Sequence, residues 1–301
     1  MNLESLLHSV DEQNLHILNI IVRQNGEIIA EHDFTEEKRV LLWSVSKTFT
    51  SIGIGIAENE GYLKTSDRLS LYFRTPANGL WDRLTIHDLL CMGTGQAKCP
   101  FTEALDQGKS LDNVEGMFFN EPIIYKPGTH FVYNNAATYM LSKLISVCTG
   151  SCLNDYLSPR LYQPLGIQNV EWEKDINEVN FGCSGLYLSA HEVSKVGQLL
   201  LSEGKWGDTS LIPREYINKA TMKQIDTSKF DEPFATADHK SGYGYQLWMN
   251  SYYGSYRMDG LYGQYVVIIP KDQAVITFIS NEPKNMTGIL ELTWKYIIEQ
   301  L

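Results

Sequence analysis

A chain of 301 residues with 43% hydrophobic and 20% charged side chains has the make-up of a globular protein with one substantial core, and excludes a disordered or fibrous chain. Its 25 Lys and Arg against 36 Asp and Glu give a formal charge of −11 without any basic stripe, so nucleic acid and anionic membrane are not expected partners. No apolar run reaches the roughly 18 residues of a membrane span, and the opening residues lack the pattern of a secretory signal, which makes a soluble, cytoplasmic chain the expectation.

Residues 1 to 12 read as a leading helix. Ile17 to Val22 and Glu27 to Glu31 flank Asn25-Gly26, the pair that supplies the left-handed backbone of a tight hairpin, and so predict two strands. From Ser44 the period changes: Val45, Phe49, Ile52 and Ile56 form one helical face running to about Gly61, with Gly53 and Gly55 marking close packing. Thr85 followed by Asp88 is a helix start, Asn135 to Cys148 returns to helical spacing after the Pro127-Gly128 turn, and Ala190 to Leu201 forms a further amphipathic stretch. Tyr265 to Ile269 and Ala274 to Ser280, separated by Pro270-Lys271-Asp272, predict an antiparallel pair, and residues 287 to 300 a closing helix. The pattern is that of an α/β (α+β) chain. Its two ends, 1–40 and 240–301, share one antiparallel sheet flanked by helices, and residues 45–239 form an all-helical to mainly helical region within a single catalytic-sized domain.

Three segments can carry chemistry. In Trp43-Ser44-Val45-Ser46-Lys47 the lysine falls one helical turn after the serine, where its amine can take the hydroxyl proton. A capping serine and a surface lysine would give the same letters, and Ser202-x-x-Lys205 repeats them in a loop setting. Tyr133-Asn134-Asn135 opens a helix; a tyrosine hydroxyl near an ammonium can relay protons, and an asparagine amide can orient lysine and substrate. Gly260-Leu261-Tyr262-Gly263-Gln264 precedes a strand, where the N–H of Gln264 and that of Ser44 can jointly hold an oxyanion. Other motifs fail. Gly108-Lys109-Ser110 lacks the first glycine of a phosphate loop, and Gly182-Cys183-Ser184-Gly185 lacks the spacing of a nucleophile elbow. The seven histidines and the cysteines Cys91, Cys99, Cys148, Cys152 and Cys183 form no metal pattern, so no metal or organic cofactor is implied.

In this order the three segments resemble the serine beta-lactamase and penicillin-binding-protein superfamily, particularly its class C lactamase, D-aminopeptidase and esterase branch. Leu84 to Gly95, Tyr125 to Asn135, Gly182 to Ala190, Tyr243 to Trp248 and Gly263 to Pro270 are similar to the same branch. The resemblance implies a beta-lactamase/transpeptidase-like fold and a serine hydrolase working through an acyl-enzyme on an ester, amide or lactam of a small molecule or short peptide. It implies Ser44 as nucleophile, Lys47 and Tyr133 as proton-transfer groups and Asn135 as orienting amide. The third motif departs from it: Leu261 stands where the family has Lys or His, with Tyr262 and Gly263 following, so recognition of a substrate carboxylate is not expected unless Arg257 supplies the charge. A lactamase or peptidase proper, and an inactive binding or regulatory protein on the same scaffold, are the alternatives.

Overall fold

The computed structural model describes residues 1–77 and 79–301. Helix α1 (Glu4–Gln13) leads into β1 (Ile17–Gln24) and β2 (Glu27–Asp33), joined by Asn25 and Gly26 at φ +52° and +87° as the hairpin signal requires. Short strand β3 (Val40–Leu41) and helix α2 (Ser46–Asn59) follow. Helices α3 (Ile86–Leu90), α4 (Pro100–Asp106), α5 (Val114–Asn120), α6 (Asn135–Thr149) and α7 (Leu153–Leu157) make up the middle. Thr85 and Asp88 form a reciprocal capping box at the start of α3.

The predicted helical middle forms, with two additions. Strands β4 (Glu171–Trp172) and β5 (Leu186–Leu188) join β3 in a small sheet of order β3-β5-β4. Helix α8 (Ala190–Leu201), capped by Ser189 and Glu192, leaves the helical region to lie across the large sheet. There Gly197 comes so close that an added Cβ would stand 2.6 Å from methyl groups of both Val266 and Val275. A small hairpin, β6 (Lys205–Trp206) and β7 (Thr209–Ser210), and α9 (Arg214–Ala220) complete the middle.

The chain returns through β8 (Trp248–Met249), β9 (Tyr256–Gly260), β10 (Gln264–Ile269) and β11 (Ala274–Ser280). These join the first hairpin in an antiparallel sheet of order β2-β1-β11-β10-β9-β8. Alternation divides its central strands between two apolar layers. Ile20, Val22, Val267, Ile276 and Phe278 pack with α1 and with α10 (Met286–Leu292), whose continuation reaches Gln300 through Thr293–Ile297 and Ile298–Gln300. Ile21, Val266, Ile268, Val275 and Ile279 face α8 and are continuous with the helical core. Burial on both faces explains why β10 and β11 read as unbroken apolar runs.

Helix α2 is the axis of the helical region, with every residue from Ser46 to Ala57 buried. Gly53 and Gly55 are tight contacts, as their spacing predicts: an added Cβ would fall 2.7 Å from Leu153 and 2.5 Å from the Tyr216 ring. Among the described residues, no helix is long and apolar enough to cross a membrane.

Candidate active site

Trp43–Val45 forms a single tight turn that runs directly into α2. Trp43 holds φ +49°, so Ser44 is presented from a sharply bent backbone at the start of the helix. Lys47, one turn on, is no surface lysine: it is 1% exposed, and its Nζ donates to Ser44 Oγ at 2.8 Å and to the Cys183 carbonyl at 2.9 Å. The same ammonium lies 4.9 Å from the centre of the Tyr133 ring. By contrast, Ser202 caps the end of α8 and Lys205 is exposed on β6, so the second Ser-x-x-Lys builds no such pair.

Tyr133 stacks on Trp248 with ring centres 5.8 Å apart and planes 19° apart, and meets the edge of Tyr243. Asn134, not Asn135, caps α6, accepting from the Ala137 N–H while its amide donates to Gln96. Asn135 opens the helix, and its amide donates to Thr102 Oγ1 at 3.2 Å. Its Oδ1 is buried without a hydrogen-bond partner.

The third segment is the three-residue turn between β9 and β10. Tyr262 and Gly263 hold φ +63° and +82°, and an added Cβ on Gly263 would fall 2.6 Å from Ile289, so both backbone and space require glycine there. Leu261 is 42% exposed and faces the same cavity as Ser44, while the Tyr262 ring packs edge-on against Trp43 at 5.2 Å. Gln264 opens β10 opposite Gly260, and its side-chain amide donates to the Ser280 carbonyl. It lines a neighbouring groove with Leu41, Trp43 and Ser280, not the Ser44 cavity.

That cavity measures about 180 Å³. Ser44 and Tyr133 line one part of it, Leu261, Met286 and Thr287 others, and Phe230, Phe234, Trp248 and Tyr265 supply broad aromatic walls. Its ionisable members beyond Tyr133 and Tyr265 are His239 and Asp259, neither of which sequence reasoning singled out. Trp248 lay inside the quoted Tyr243 to Trp248 segment, which was the available signal.

Arg257 is fully buried on β9. Its Nε donates to Asp259 Oδ2 at 2.8 Å and its Nη1 to Asn250 Oδ1 at 2.8 Å, and the guanidinium lies 5.7 Å from the Trp248 ring centre. His239 Nε2 stands 3.5 Å from the same Asp259 oxygen. Burial pushes the Asp259 carboxyl up, but Arg257 and His239 outweigh it and hold the group below the ordinary aspartate range.

Gln246 ties the supporting helices together. Its backbone carbonyl accepts from Thr48 of α2, its Oε1 from Thr138 of α6, and its Nε2 donates to the carbonyls of Leu89 and Leu90 in α3. It does so at φ +60°.

A family model described as Beta-lactamase matches residues 6–294. A beta-lactamase of Escherichia coli (strain K12) is 24% identical over 235 residues, which cover 74% of this chain and 60% of that protein. The 6-aminohexanoate-dimer hydrolase of Paenarthrobacter ureafaciens is 22% identical over 283 residues, covering 87% and 72%. The chain thus spans less than two thirds of the E. coli lactamase. Among solved structures, a Bacillus anthracis protein described provisionally as a 6-aminohexanoate-dimer hydrolase superposes with a TM-score of 0.81 at 21% identity, covering 100% of this chain and 83% of that one. An octameric penicillin-binding protein homologue from Pyrococcus abyssi superposes with a TM-score of 0.76 at 20% identity, covering 97% and 76%. The relatives are spread over several branches, among them lactamases and penicillin-binding proteins, and what the superpositions have in common with this chain is the fold.

Proposed function

The chain belongs to the beta-lactamase family, and from that premise we propose that it is a serine hydrolase that forms an acyl-enzyme on Ser44. The observation that carries this reading is the buried Lys47 amine, 2.8 Å from Ser44 Oγ beside a cavity walled by Tyr133. Ser44 Oγ attacks the carbonyl carbon of an ester, amide or lactam while its proton passes to the Lys47 and Tyr133 pair, whichever member then holds the free lone pair. The tetrahedral oxygen takes the Ser44 N–H as one donor. The second donor that the sequence names is the backbone N–H of Gln264, at the end of the turn that begins with Leu261; its side chain, which lines the neighbouring groove, takes no part. Collapse breaks the bond to the leaving group as the same pair returns its proton to it; water then gives a proton to the pair while attacking the acyl carbon, and breakage of the C–Oγ bond releases the carboxylic acid and returns that proton to Ser44 Oγ. The resemblance gives Asn135 the orienting role; its buried Oδ1 has no partner, but the residue is not among those that line the cavity.

The wall chemistry favours neutral over carboxylate-bearing substrates. Leu261 brings no charge, Asp259 brings a negative one, and Arg257 does not line the cavity. A lactamase or cell-wall peptidase proper needs a site for a carboxylate, which this wall does not offer.

A fluorophosphonate probe followed by intact-protein mass spectrometry tests the reading. One adduct is expected on the wild-type protein and none on Ser44→Ala, whose ester hydrolysis should fall by at least about 10³-fold. Equal labelling of both proteins, or turnover that survives in Ser44→Ala, would overturn it.

A further inference from the structure

We propose that the aromatic cavity beside Ser44 binds a protonated primary amine, with Asp259 Oδ1 as its hydrogen-bond acceptor. The inference deepens the acyl-enzyme reading, on which it rests only for the amine's being part of a substrate; the pocket itself stands on its own geometry.

The Asp259 carboxylate is used on one side only. Oδ2 takes both Arg257 Nε and His239 Nε2. Every hydrogen bond and ion pair of the side chain among the described residues goes to Oδ2, which leaves Oδ1 without a protein partner where the side chain lines the cavity. That oxygen is open to the cavity, and a charged donor makes the strongest bond to it. His239 does not supply a second one. Its Nδ1 accepts from the Thr236 N–H at 3.3 Å, which places the proton of the neutral ring on Nε2, already directed at Asp259. The cation of the pair, Arg257, sits behind Asp259 and Trp248, is fully buried and does not line the cavity. An incoming ligand therefore meets the negative end of the pair first.

The walls point the same way. Trp248, Phe230, Phe234 and Tyr133 turn aromatic surface to the space, and ring faces attract cations most strongly where water is excluded. At about 180 Å³ the cavity has the size that admits a benzene-sized group. A carboxylate there would lie against the Asp259 carboxylate and apolar rings, with the side-chain donors of the wall limited to the hydroxyls of Ser44, Tyr133, Tyr265 and Thr287, the Trp248 indole and the His239 ring.

Benzylammonium, benzyl alcohol and benzoate carry one ring with charges of +1, 0 and −1, and their binding is measured by calorimetry on Ser44→Ala and wild-type protein, which needs no turnover. Benzylammonium is expected to bind about tenfold more tightly than benzyl alcohol, with benzoate weakest. Asp259→Asn should erase the ammonium advantage. Phe234→Leu alters a partly exposed ring and keeps the test alive if removing the Arg257 partner prevents folding; it should narrow the advantage several-fold. Equal binding of the alcohol, tightest binding of benzoate, or an unchanged order in both variants overturns the proposal. Failure to label Ser44 while benzylammonium still binds selectively would remove the hydrolase reading and leave the pocket. Labelling without ammonium preference would do the reverse.

Discussion

In β1, β10 and β11 no residue holds a positive φ, alternate side chains fill two apolar layers, and the left-handed positions, Asn25 and Gln273, fall in the turns between strands. Around Ser44, four large side chains, Trp43, Met92, Gln246 and Tyr262, hold φ between +49° and +63°. Each costs about 1–2 kcal/mol in such backbone. The sheet satisfies local preference and tertiary packing together, whereas the site keeps conformations that local preference disfavours because their surroundings leave no alternative. Trp43 and Tyr262 brace each other edge to face, Met92 is packed within the cluster of Tyr133, Tyr243 and Trp248, and Gln246 is bonded to three helices. Strain of this kind is concentrated where a fixed geometry is useful.

The sharpest way to break the comparison is chemical. Tyr133→Phe keeps the ring stacked on Trp248 and removes only the hydroxyl, and Lys47→Met keeps the bulk of a buried stem; each should lower kcat/KM for a neutral ester by about 10²- to 10⁴-fold, measured by steady-state kinetics. Tyr133→Phe should leave Tm unchanged. Next is Gln246→Leu, which strips partners from the Thr138 hydroxyl and from two α3 carbonyls in a buried setting. It should lose about 2–4 kcal/mol in urea unfolding, with activity falling per folded molecule as the helices that carry Ser44 and Tyr133 lose their tie.

Smaller changes sharpen the contrast. Leu261→Lys places a cation at the rim of the cavity. Because that position is 42% exposed, the ratio of kcat/KM for a matched carboxylate and neutral ester should rise by no more than about fivefold. Gln273→Gly, in the turn between β10 and β11 at φ +51°, should stabilise the fold by up to about 1 kcal/mol without touching activity. A matching Trp43→Gly, read in the same assays, should relieve the same strain and yet lose turnover.

The elements whose signals are local were legible in the sequence. The Asn25-Gly26 hairpin, the Thr85–Asp88 cap and the amphipathic Ala190–Leu201 each follow from a few adjacent residues, and all three formed. Ser44 and Lys47 were legible for the same reason, since one helical turn fixes their approach. The aromatic and acidic wall was not. Phe230, Phe234, His239 and Asp259 share no period, and they meet only because irregular chain after α9 folds over β9. The third motif shows the limit of matching letters: Leu261 borders the cavity, but the charged groups beside it, Arg257 and Asp259, precede the turn on the strand, and Gln264 faces another groove.

The central position of β11, between β1 and β10, also sets an order of events on the ribosome. Gln24 pairs with Ala274, so the chain must grow by about 250 residues before the first hairpin meets its neighbour. At ordinary elongation speeds that is roughly 12 to 50 s during which β1 presents an unpaired edge of Ile20, Ile21 and Val22 to solvent or to a chaperone. The helical region, whose contacts close over shorter loops, can consolidate in that interval. Strand β11 then completes the sheet from the middle outwards, so a nascent chain halted before residue 274 would carry a formed helical region and an open hairpin, the state from which aggregation of this protein should begin.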